Sequence, residues 1–282
     1  MSKVWITSDC TCDLSEALLN KYDVEVIYFY ISTDRGCFRD RAEMTATNVV
    51  EYFENGGQRI STAAPAISEY VDFFEKELRK HDEIIHITIS SQLSRSYENA
   101  VAAAAQFAGK VHIIDSGHLS TGIAHMVIHA VELAKEGKTR EEIFEAMKEL
   151  QDKISTSFIA YNADYLYRTG RVGKGVKNIC SAFKIHPVLS VKYGEISLKG
   201  VRIGEYEKAV LRYIRSELKK TSQINTERLF ITYSTLPVKL LMKIRDQVET
   251  SCPFDEVLET KASATITSNC GANTVGALFI RK

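Results

Sequence analysis

The sequence has few of the features that mark secreted, membrane-spanning or nucleic-acid-binding proteins. Its 282 residues hold 36 Lys and Arg against 36 Asp and Glu, so the formal net charge is zero. This balance leaves no overall positive field to attract nucleic acid. No apolar run approaches the roughly 20 residues that cross a bilayer, and the first residues do not resemble a signal peptide. We therefore expect a cytoplasmic protein that has no membrane span and binds no nucleic acid; transient contact with a membrane surface stays open.

Cysteine is sparse and scattered, which argues against a disulfide framework or a metal centre. Of six cysteines only Cys10 and Cys12 lie close together, and a single C-x-C supplies half of a zinc site at most. His125 and His129 lie four apart, but Met126 stands where a zinc protease motif has its Glu. We predict reduced thiols, a histidine pair on a partly buried helix surface, and neither a metal nor another cofactor.

Nucleotide-binding motifs are lacking as well. The basic, glycine-containing segment 165–175 does not have the G-x-x-x-x-G-K-[ST] spacing, because Lys174 is followed by Gly175. We interpret this segment as a flexible loop, with Arg171 within it, on a surface that meets a partner.

The sequence does contain 45% apolar residues, which form alternating strand and helix patterns in its first half. Short β-branched runs predict strands at 4–7, 24–32, 83–89 and 111–115. Apolar residues at helical spacing predict helices at 13–22, 47–55, 68–80, 97–108, 120–135 and 140–154. Thr139 and Glu142 predict a capping box at the start of the last helix. Strands that alternate with helices predict a parallel sheet covered on both faces.

The second half shows a different order of elements. Strands are predicted at 158–161, 183–191, 195–201, 228–233, 256–261 and 275–281, and helices at 205–220 and 237–249. The turn residues Tyr193-Gly194 favour a hairpin, and hence a mixed or antiparallel sheet. We therefore predict a two-domain α/β protein, with a parallel-sheet domain at 1–155 and a mixed-sheet domain at 156–282, and with its ligand at their interface.

The most informative segment is the predicted strand at 83–89, which ends abruptly in hydroxyl residues. Ser90, Ser91 and Ser94 follow it, and an alanine-rich helix pattern begins just afterwards. In a parallel sheet this order brings hydroxyls and helix N-terminal amides to the carboxyl edge, where ligands bind. Such groups suit a bound anion. Asp115 ends the next predicted strand and either orients these hydroxyls or binds loop amides.

Two further segments are expected at the same edge, and each also has a simpler structural explanation. After the first strand, Asp9 and Thr11 either shape a ligand cleft or only stabilise the turn between strand and helix. Asp13, in the same turn, is a candidate helix N-cap. Ser61 and Thr62 either contribute to the ligand site or are ordinary residues at the start of a helix.

An enzymatic role for the serines has less support than a binding role. The chain has no G-x-S-x-G nucleophile elbow. The nearest potential base along the chain is His118, and the sequence does not place it beside Ser91 or Ser94. A serine hydrolase or a phosphotransferase-like enzyme stays the alternative to a binding protein.

Several motifs in chain order resemble those of the DegV family, the bacterial fatty-acid-binding proteins that serve as the carrier (FakB-type) subunit of fatty acid kinase. The matching segments are Asp9-Cys10-Thr11-Cys12-Asp13-Leu14, Ser61-Thr62-Ala63-Ala64-Pro65, Ile89-Ser90-Ser91-Gln92-Leu93-Ser94-Arg95-Ser96-Tyr97, Asp115-Ser116, Arg168-Thr169-Gly170-Arg171-Val172, and Phe183-Lys184-Ile185-His186-Pro187-Val188-Leu189 with Gly194-Glu195-Ile196. Each match alone is weak, but together they cover essentially the whole chain in the family's order.

The resemblance implies a two-domain α/β protein that encloses one long-chain fatty acid, with the tail in an apolar tunnel. By motif position, the hydroxyls of Thr62, Ser91 and Ser94 would bind the carboxylate. Neighbours in the ligand site would be Ser61, Ser90, Asp9, Thr11, Asp115 and Asn269.

The resemblance also implies that the carrier is not itself an enzyme and has no catalytic residue. A separate kinase would phosphorylate the fatty-acid carboxylate to an acyl phosphate, as a step of phospholipid metabolism. By resemblance, Arg202 would lie on the surface that binds this partner, and Arg171 is expected there as part of the basic segment 165–175. A regulatory module that senses the fatty acid without presenting it is a further alternative.

The chain departs from the family pattern at several positions near the expected head group. Cys10 and Ala63 each replace a serine, and Gln92 and Arg95 each replace a glycine. Asn269 stands where the family usually has a histidine, so an amide replaces an ionisable ring. These differences indicate a divergent member of the family.

Overall fold

The computed structural model describes residues 4–180 and 184–282. The first half forms a four-stranded parallel sheet. Its strands, in spatial order, are β2 (Glu25–Ile27), β1 (Val4–Asp9), β6 (Glu83–Thr88) and β7 (Val111–Asp115). Because these strands are parallel, their carboxyl ends meet at one edge, where the hydroxyl-rich loop after β6 begins.

Helices follow the strands in the alternation that the sequence predicts. They are α1 (Glu16–Tyr22), α2 (Ala46–Glu54), α3 (Ile67–Leu78), α4 (Ser96–Ala104), α5 (Thr121–Lys135) and α6 (Arg140–Lys153). The predicted capping box of α6 is present. The amide of Thr139 donates to Glu142 Oε2 over 2.8 Å, and the amide of Glu142 donates to the Thr139 hydroxyl oxygen over 3.3 Å.

A small antiparallel sheet was not predicted from the sequence. Its strands, in spatial order, are β4 (Gly36–Arg39), β3 (Tyr30–Thr33) and β5 (Ser61–Ala63). The prediction of one strand over 24–32 is therefore wrong. The chain leaves the parallel sheet at the buried Phe29, whose amide donates to Cys10 Sγ over 3.3 Å. The strands of the small sheet are three or four residues long and mix exposed with half-buried residues, so they carry no apolar pattern.

The second half forms a six-stranded mixed sheet. Its strands, in spatial order, are β10 (Glu195–Ile203), β9 (Ile185–Lys192), β8 (Ile154–Ile159), β13 (Val275–Arg281), β11 (Ile224–Tyr233) and β12 (Glu256–Lys261). The predicted hairpin joins β9 to β10, and its turn residues Tyr193 and Gly194 have φ values of 49° and 80°. The predicted α/β class with one parallel and one mixed sheet is confirmed. The predicted start of a strand at Phe183 lies outside the described residues.

The helices of the second half include three short ones that the sequence did not reveal. The helices are α7 (Asp164–Arg168), α8 (Lys174–Cys180), α9 (Tyr206–Glu217), α10 (Val238–Ser251) and α11 (Ala264–Cys270). The expectation of a loop throughout 165–175 is wrong, because α7 and the start of α8 occupy most of that segment.

The two sheets share one continuous core across α5. This helix is buried on nearly all sides, and a single apolar cluster joins Ile85 of β6 to Phe230 of β11 and Leu278 of β13. Helix α6 ends at Lys153 and β8 begins at Ile154, close to the predicted boundary. The division into two domains at residue 155 stays a prediction, since the core runs through it.

Candidate functional site

A cavity of about 670 Å³ lies between the two sheets and the small antiparallel sheet. Its volume falls within the range of sites that enclose a small molecule, roughly 300–1,000 Å³. Most of the wall is apolar, and its large side chains include Phe29, Ile89, Leu93, Phe158, Leu166, Ile266 and Leu278. The cavity therefore has the character of an apolar binding site that spans both halves of the chain.

Four of the residues predicted to bind the ligand, to neighbour it or to bind a partner line this cavity. Thr62 lies on β5, Ser94 on the loop after β6, Arg171 between α7 and α8, and Asn269 on α11. Arg171 Nε donates to Asn269 Oδ1 over 3.1 Å, and Asn269 Nδ2 donates to the carbonyl of Thr265 over 2.8 Å. The fold thus brings together polar groups that are up to 207 residues apart in the chain, from Thr62 to Asn269 (269 minus 62). Their role in ligand binding stays a prediction.

The charges in the cavity wall have one sign. Among the described residues that line it, only Arg95 and Arg171 are charged, and neither an Asp nor a Glu is present. The Arg95 side chain is 83% exposed and lies 3.4 Å from Glu98, so its charge is mostly solvated. Arg171 is partly buried, burial lowers the pKa of its guanidinium, and its partner Asn269 is neutral. A partly buried cation with no carboxylate partner among the described residues favours an anionic ligand.

The serines at the end of β6 differ in their positions. The Ser94 hydroxyl accepts from the amide of Ser96 over 3.2 Å and lies in the cavity wall. Ser90 is buried beneath the β9–β10 hairpin, where Gly194 approaches so closely that a Cβ there would meet Ser90 Oγ at 2.1 Å. Ser91 is not among the described residues that line the cavity, and its contact with the carboxylate stays a prediction.

Asp115 binds loop amides, which is one of the two roles that the sequence left open. Its Oδ1 accepts from the amide of Ser91 over 3.2 Å and from the amide of Gly117 over 2.9 Å. Ser61, on β5, is exposed beside Thr62. Neither Asp115 nor Ser61 is among the described residues that line the cavity.

Asp9 joins the ends of β1 and β6 beneath the cavity. Its Oδ2 accepts from the Ser96 hydroxyl over 2.6 Å and from the amide of Ile89 over 2.9 Å. Its Oδ1 accepts from the Tyr70 hydroxyl over 2.7 Å, and burial together with the Asp9 charge raises the pKa of that phenol. The hydroxyl of Thr11 is buried without a partner among the described residues. Asp9 therefore fixes the loop that carries the serines.

Arg202 lies away from the cavity, in a second depression on β10. Its Nη2 donates to Ser216 Oγ over 2.6 Å, and three lysines share the depression: Lys199, Lys219 and Lys220. Its predicted contact with a partner protein stays a prediction. The same holds for Arg171, whose guanidinium lies at the inner cavity.

The histidines take structural positions. His118 Nε2 lies 2.9 Å from the carbonyl of Gln151 and Nδ1 lies 3.1 Å from Thr156 Oγ1, so both nitrogens are engaged away from Ser91 and Ser94. His125 is fully buried, whereas the sequence predicted a partly buried position. Its Nε2 donates to the carbonyl of Leu278 over 3.0 Å inside the shared core. Burial lowers the pKa of His125 to about 4. Among the described residues, His, Cys, Asp and Glu nowhere cluster in threes that could hold a metal ion.

Asp13 does not cap α1, contrary to the prediction from sequence. Ser15 takes that position, and its hydroxyl accepts from the amide of Leu18 over 3.3 Å. Asp13 instead accepts from the hydroxyl of Ser120, over 2.5 Å, and from the amide of Ser263, over 2.8 Å. Nothing in the local sequence signals these contacts, since their partners are 107 and 250 residues away.

Helix α11 forms a cavity wall that sequence reasoning missed. Its first turn is held by a carboxylate from the residue that follows β4, because Asp40 accepts from the amides of Ala264 over 2.8 Å and Thr265 over 3.0 Å. Burial raises the pKa of Asp40 above its usual value. Thr265 and Ile266 are β-branched and form helix poorly on their own. The helix is stabilised by Asp40 together with its local N-cap Ser263, whose hydroxyl accepts from the amide of Ile266 over 3.4 Å.

The fold and the cavity define a class of α/β proteins in which a parallel and a mixed sheet enclose a largely apolar cavity with a cationic inner wall. No helix within residues 4–180 and 184–282 is long and apolar enough to cross a membrane. The family model described as "Uncharacterised protein, DegV family" matches residues 3–282. The chain belongs to the DegV family, as its motifs predicted.

Known proteins resemble the chain along its whole length. A DegV domain-containing protein from Caldanaerobacter subterraneus is 26% identical over 283 residues, with 100% of both chains covered. A structure described as fatty acid binding of a DegV family protein from Thermus thermophilus is 25% identical, covers 100% of both chains and has a TM-score of 0.89. A stearic-acid-binding protein from Eubacterium ventriosum shares the fold, with a TM-score of 0.86 at 22% identity over 100% of this chain and 99% of its own.

Proposed function

We propose that this protein binds one long-chain fatty acid in the cavity and offers its carboxylate to a partner kinase. The observation that carries the proposal is the composition of the cavity wall, which is apolar over most of its surface and has arginine as its only kind of charged residue among the described positions. An apolar tail and an anionic head are the two chemical features that such a wall selects.

The apolar wall would supply most of the affinity. Each methylene removed from water contributes about 0.8 kcal/mol, so a chain of a dozen methylenes or more outweighs the cost of ordering it. Residues from both halves of the chain, such as Phe29, Phe158 and Leu278, would surround the tail.

The head group would lie near the hydroxyls of Thr62 and Ser94, the guanidinium of Arg171 and the amide of Asn269. Hydrogen bonds from these groups to a carboxylate are charge-assisted and contribute roughly 1.5–3 kcal/mol each. Ser91 would join them if its loop moves on binding. The fatty-acid binding stated for the Thermus thermophilus and Eubacterium ventriosum proteins supports the same ligand class here.

The protein would act as a carrier and not as an enzyme. The carboxylate oxygen would attack the γ-phosphorus of ATP on a separate kinase, forming an acyl phosphate and releasing ADP, while the carrier holds the acyl chain. Arg202 and the lysines beside it offer a cationic surface for such a partner. A cytoplasmic location fits the six free cysteines, five of which are buried, because disulfides are rare in that compartment.

The binding proposal is tested by titrating the protein with stearate and with methyl stearate and following the melting temperature. We expect stearate to raise it in a concentration-dependent way and the ester to raise it less, because the ester keeps the tail but loses the charge. Equal shifts with both ligands would contradict a head-group site, and the absence of any shift would contradict the ligand class.

The carrier role has its own assay. The stearate-loaded protein is mixed with ATP and the catalytic subunit of a bacterial fatty acid kinase, and acyl phosphate is trapped with hydroxylamine. Formation of the hydroxamate only when all components are present is the expected result. Tight binding of stearate without any hydroxamate would favour a fatty-acid sensor instead.

A further inference from the structure

The cavity wall contains a strained serine that the proposed head-group site does not use. Ser120, between β7 and α5, has a φ of 54° and a ψ of −142°, a backbone conformation that residues other than glycine rarely adopt. It is buried and lines the cavity. Such strain persists only where surrounding contacts hold it, and it concentrates at ligand sites.

The contact that holds Ser120 comes from Asp13. The Ser120 hydroxyl donates to Asp13 Oδ2 over 2.5 Å, and Asp13 Oδ1 accepts from the amide of Ser263, the N-cap of α11, over 2.8 Å. One buried carboxylate therefore ties a cavity-lining hydroxyl to the helix that carries Thr265 and Asn269.

The groups that face Asp13 compensate its charge only in part. Arg41 is the facing cation, and its guanidinium donates hydrogen bonds to other residues. Cys12 and Cys270 also face Asp13, and burial raises the pKa of their thiols to about 11 and about 12, which keeps both neutral. A second buried carboxylate, Asp40, lies at the same turn of α11. In these surroundings, burial raises the pKa of Asp13 to about 7.

We infer that Asp13 is a positioning residue whose protonation is coupled to ligand binding through Ser120. In its ionised form Asp13 accepts a hydrogen bond from the Ser120 hydroxyl, so Ser120 presents only oxygen lone pairs to the cavity. When Asp13 takes up a proton from solvent, its O–H donates to Ser120, and the Ser120 hydroxyl becomes free to donate into the cavity. The amide of Ser263 keeps its acceptor in both forms.

The inference rests on the proposed function, because it requires an anionic ligand. An anion in the cavity disfavours a second negative charge on Asp13 and so raises the pKa of its carboxyl. By linkage, protonation of Asp13 must then strengthen binding of the anion by the same factor. Affinity therefore rises as the pH falls through neutrality, and ligand binding takes up protons.

Two variants separate this coupling from a purely structural role. Asp13→Asn reproduces the protonated form, since its amide N–H donates to Ser120 and its amide oxygen accepts from Ser263. Asp13→Ala removes both hydrogen bonds. For wild-type protein we expect stearate affinity to rise roughly tenfold between about pH 8 and about pH 6.

The expected signature is a gain of affinity in the Asn variant. Asp13→Asn should bind stearate at about pH 8 as tightly as wild type does at about pH 6, with a flat pH profile. Asp13→Ala should bind more weakly than wild type at both values. A purely structural Asp13 would weaken the Asn variant and leave its pH profile parallel to that of wild type, which would overturn the inference.

Calorimetry of the wild-type protein supplies a test that needs no variant. Stearate binding near neutral pH is measured in two buffers that differ in ionisation enthalpy, and we expect uptake of a substantial fraction of one proton. Binding without proton uptake overturns the coupling and leaves fatty-acid binding intact. Failure of stearate to bind at any pH overturns both.

Discussion

Replacement of Arg171 by Gln should weaken fatty-acid binding without destabilising the unliganded protein. Arg171 lines the cavity and is partly buried, and burial lowers the pKa of its guanidinium. Its hydrogen bond in the structure goes to the neutral amide oxygen of Asn269, and a glutamine N–H can replace that donor. The substitution should therefore lower ligand affinity and leave the stability of the unliganded protein unchanged.

The size of the effect follows from the kind of bond lost. A charge-assisted hydrogen bond to a carboxylate contributes roughly 1.5–3 kcal/mol, which corresponds to a loss of affinity of about 10- to 150-fold. The free energy of unfolding should stay within about 0.5 kcal/mol of wild type or rise, because the substitution removes a partly buried charge that has no carboxylate partner among the described residues.

Stearate affinity is measured by calorimetry, and stability by urea unfolding of delipidated protein. The matched control is Arg202→Gln, which removes an arginine that donates to Ser216 outside the cavity and should leave stearate affinity unchanged. A contact between Arg171 and the carboxylate is refuted if Arg171→Gln binds stearate as tightly as wild type, or if both arginine variants weaken binding equally.

Two further substitutions test the head-group site and the core. Thr62→Val keeps the shape of the side chain but removes its hydroxyl, so its stearate affinity should fall about tenfold. The control Ser61→Ala changes the exposed neighbour and should bind stearate as tightly as wild type. Equal affinities in all three proteins would exclude Thr62 from the site. Burial lowers the pKa of His125 in the folded protein to about 4, whereas in the unfolded chain its pKa is about 6.5. As the pH falls from 6.5 towards 4, His125 is therefore protonated in the unfolded chain but not in the folded protein, and the free energy of unfolding decreases. His125→Gln keeps a donor to Leu278 and should lose less stability over that range by urea unfolding, and an unchanged pH dependence would contradict the assignment.

The sequence predicted those parts of the fold that depend on local patterns. The parallel strands have β-branched runs, and α6 has its capping box within four residues, so both could be predicted. Ser94 also lies on the loop after β6 and lines the cavity, as expected, because strand order sets the carboxyl edge of a parallel sheet. Thr62 lines the cavity as well, but from β5 of the small antiparallel sheet, which was not predicted.

The parts that were missed depend on contacts between distant residues. Helix α11 has β-branched residues that disfavour a helix, and its local N-cap Ser263 is supported from more than 200 residues away. Asp13 accepts from the amide of Ser263, and Asp40 accepts from the first two amides of the helix. Asp13 looked like a local cap because its tertiary partners are invisible along the chain. His125 looked partly exposed because a four-residue spacing does not show that both sheets cover α5.

The central claim, that the cavity holds a fatty acid, is tested most directly by analysing the protein as it comes from bacterial cells. The protein is purified without added lipid and denatured, and the extract is examined by mass spectrometry. The account predicts long-chain fatty acid at about one molecule per chain, with less in Arg171→Gln than in Arg202→Gln. An extract free of acyl species, from protein whose melting temperature does not respond to added stearate, would contradict it.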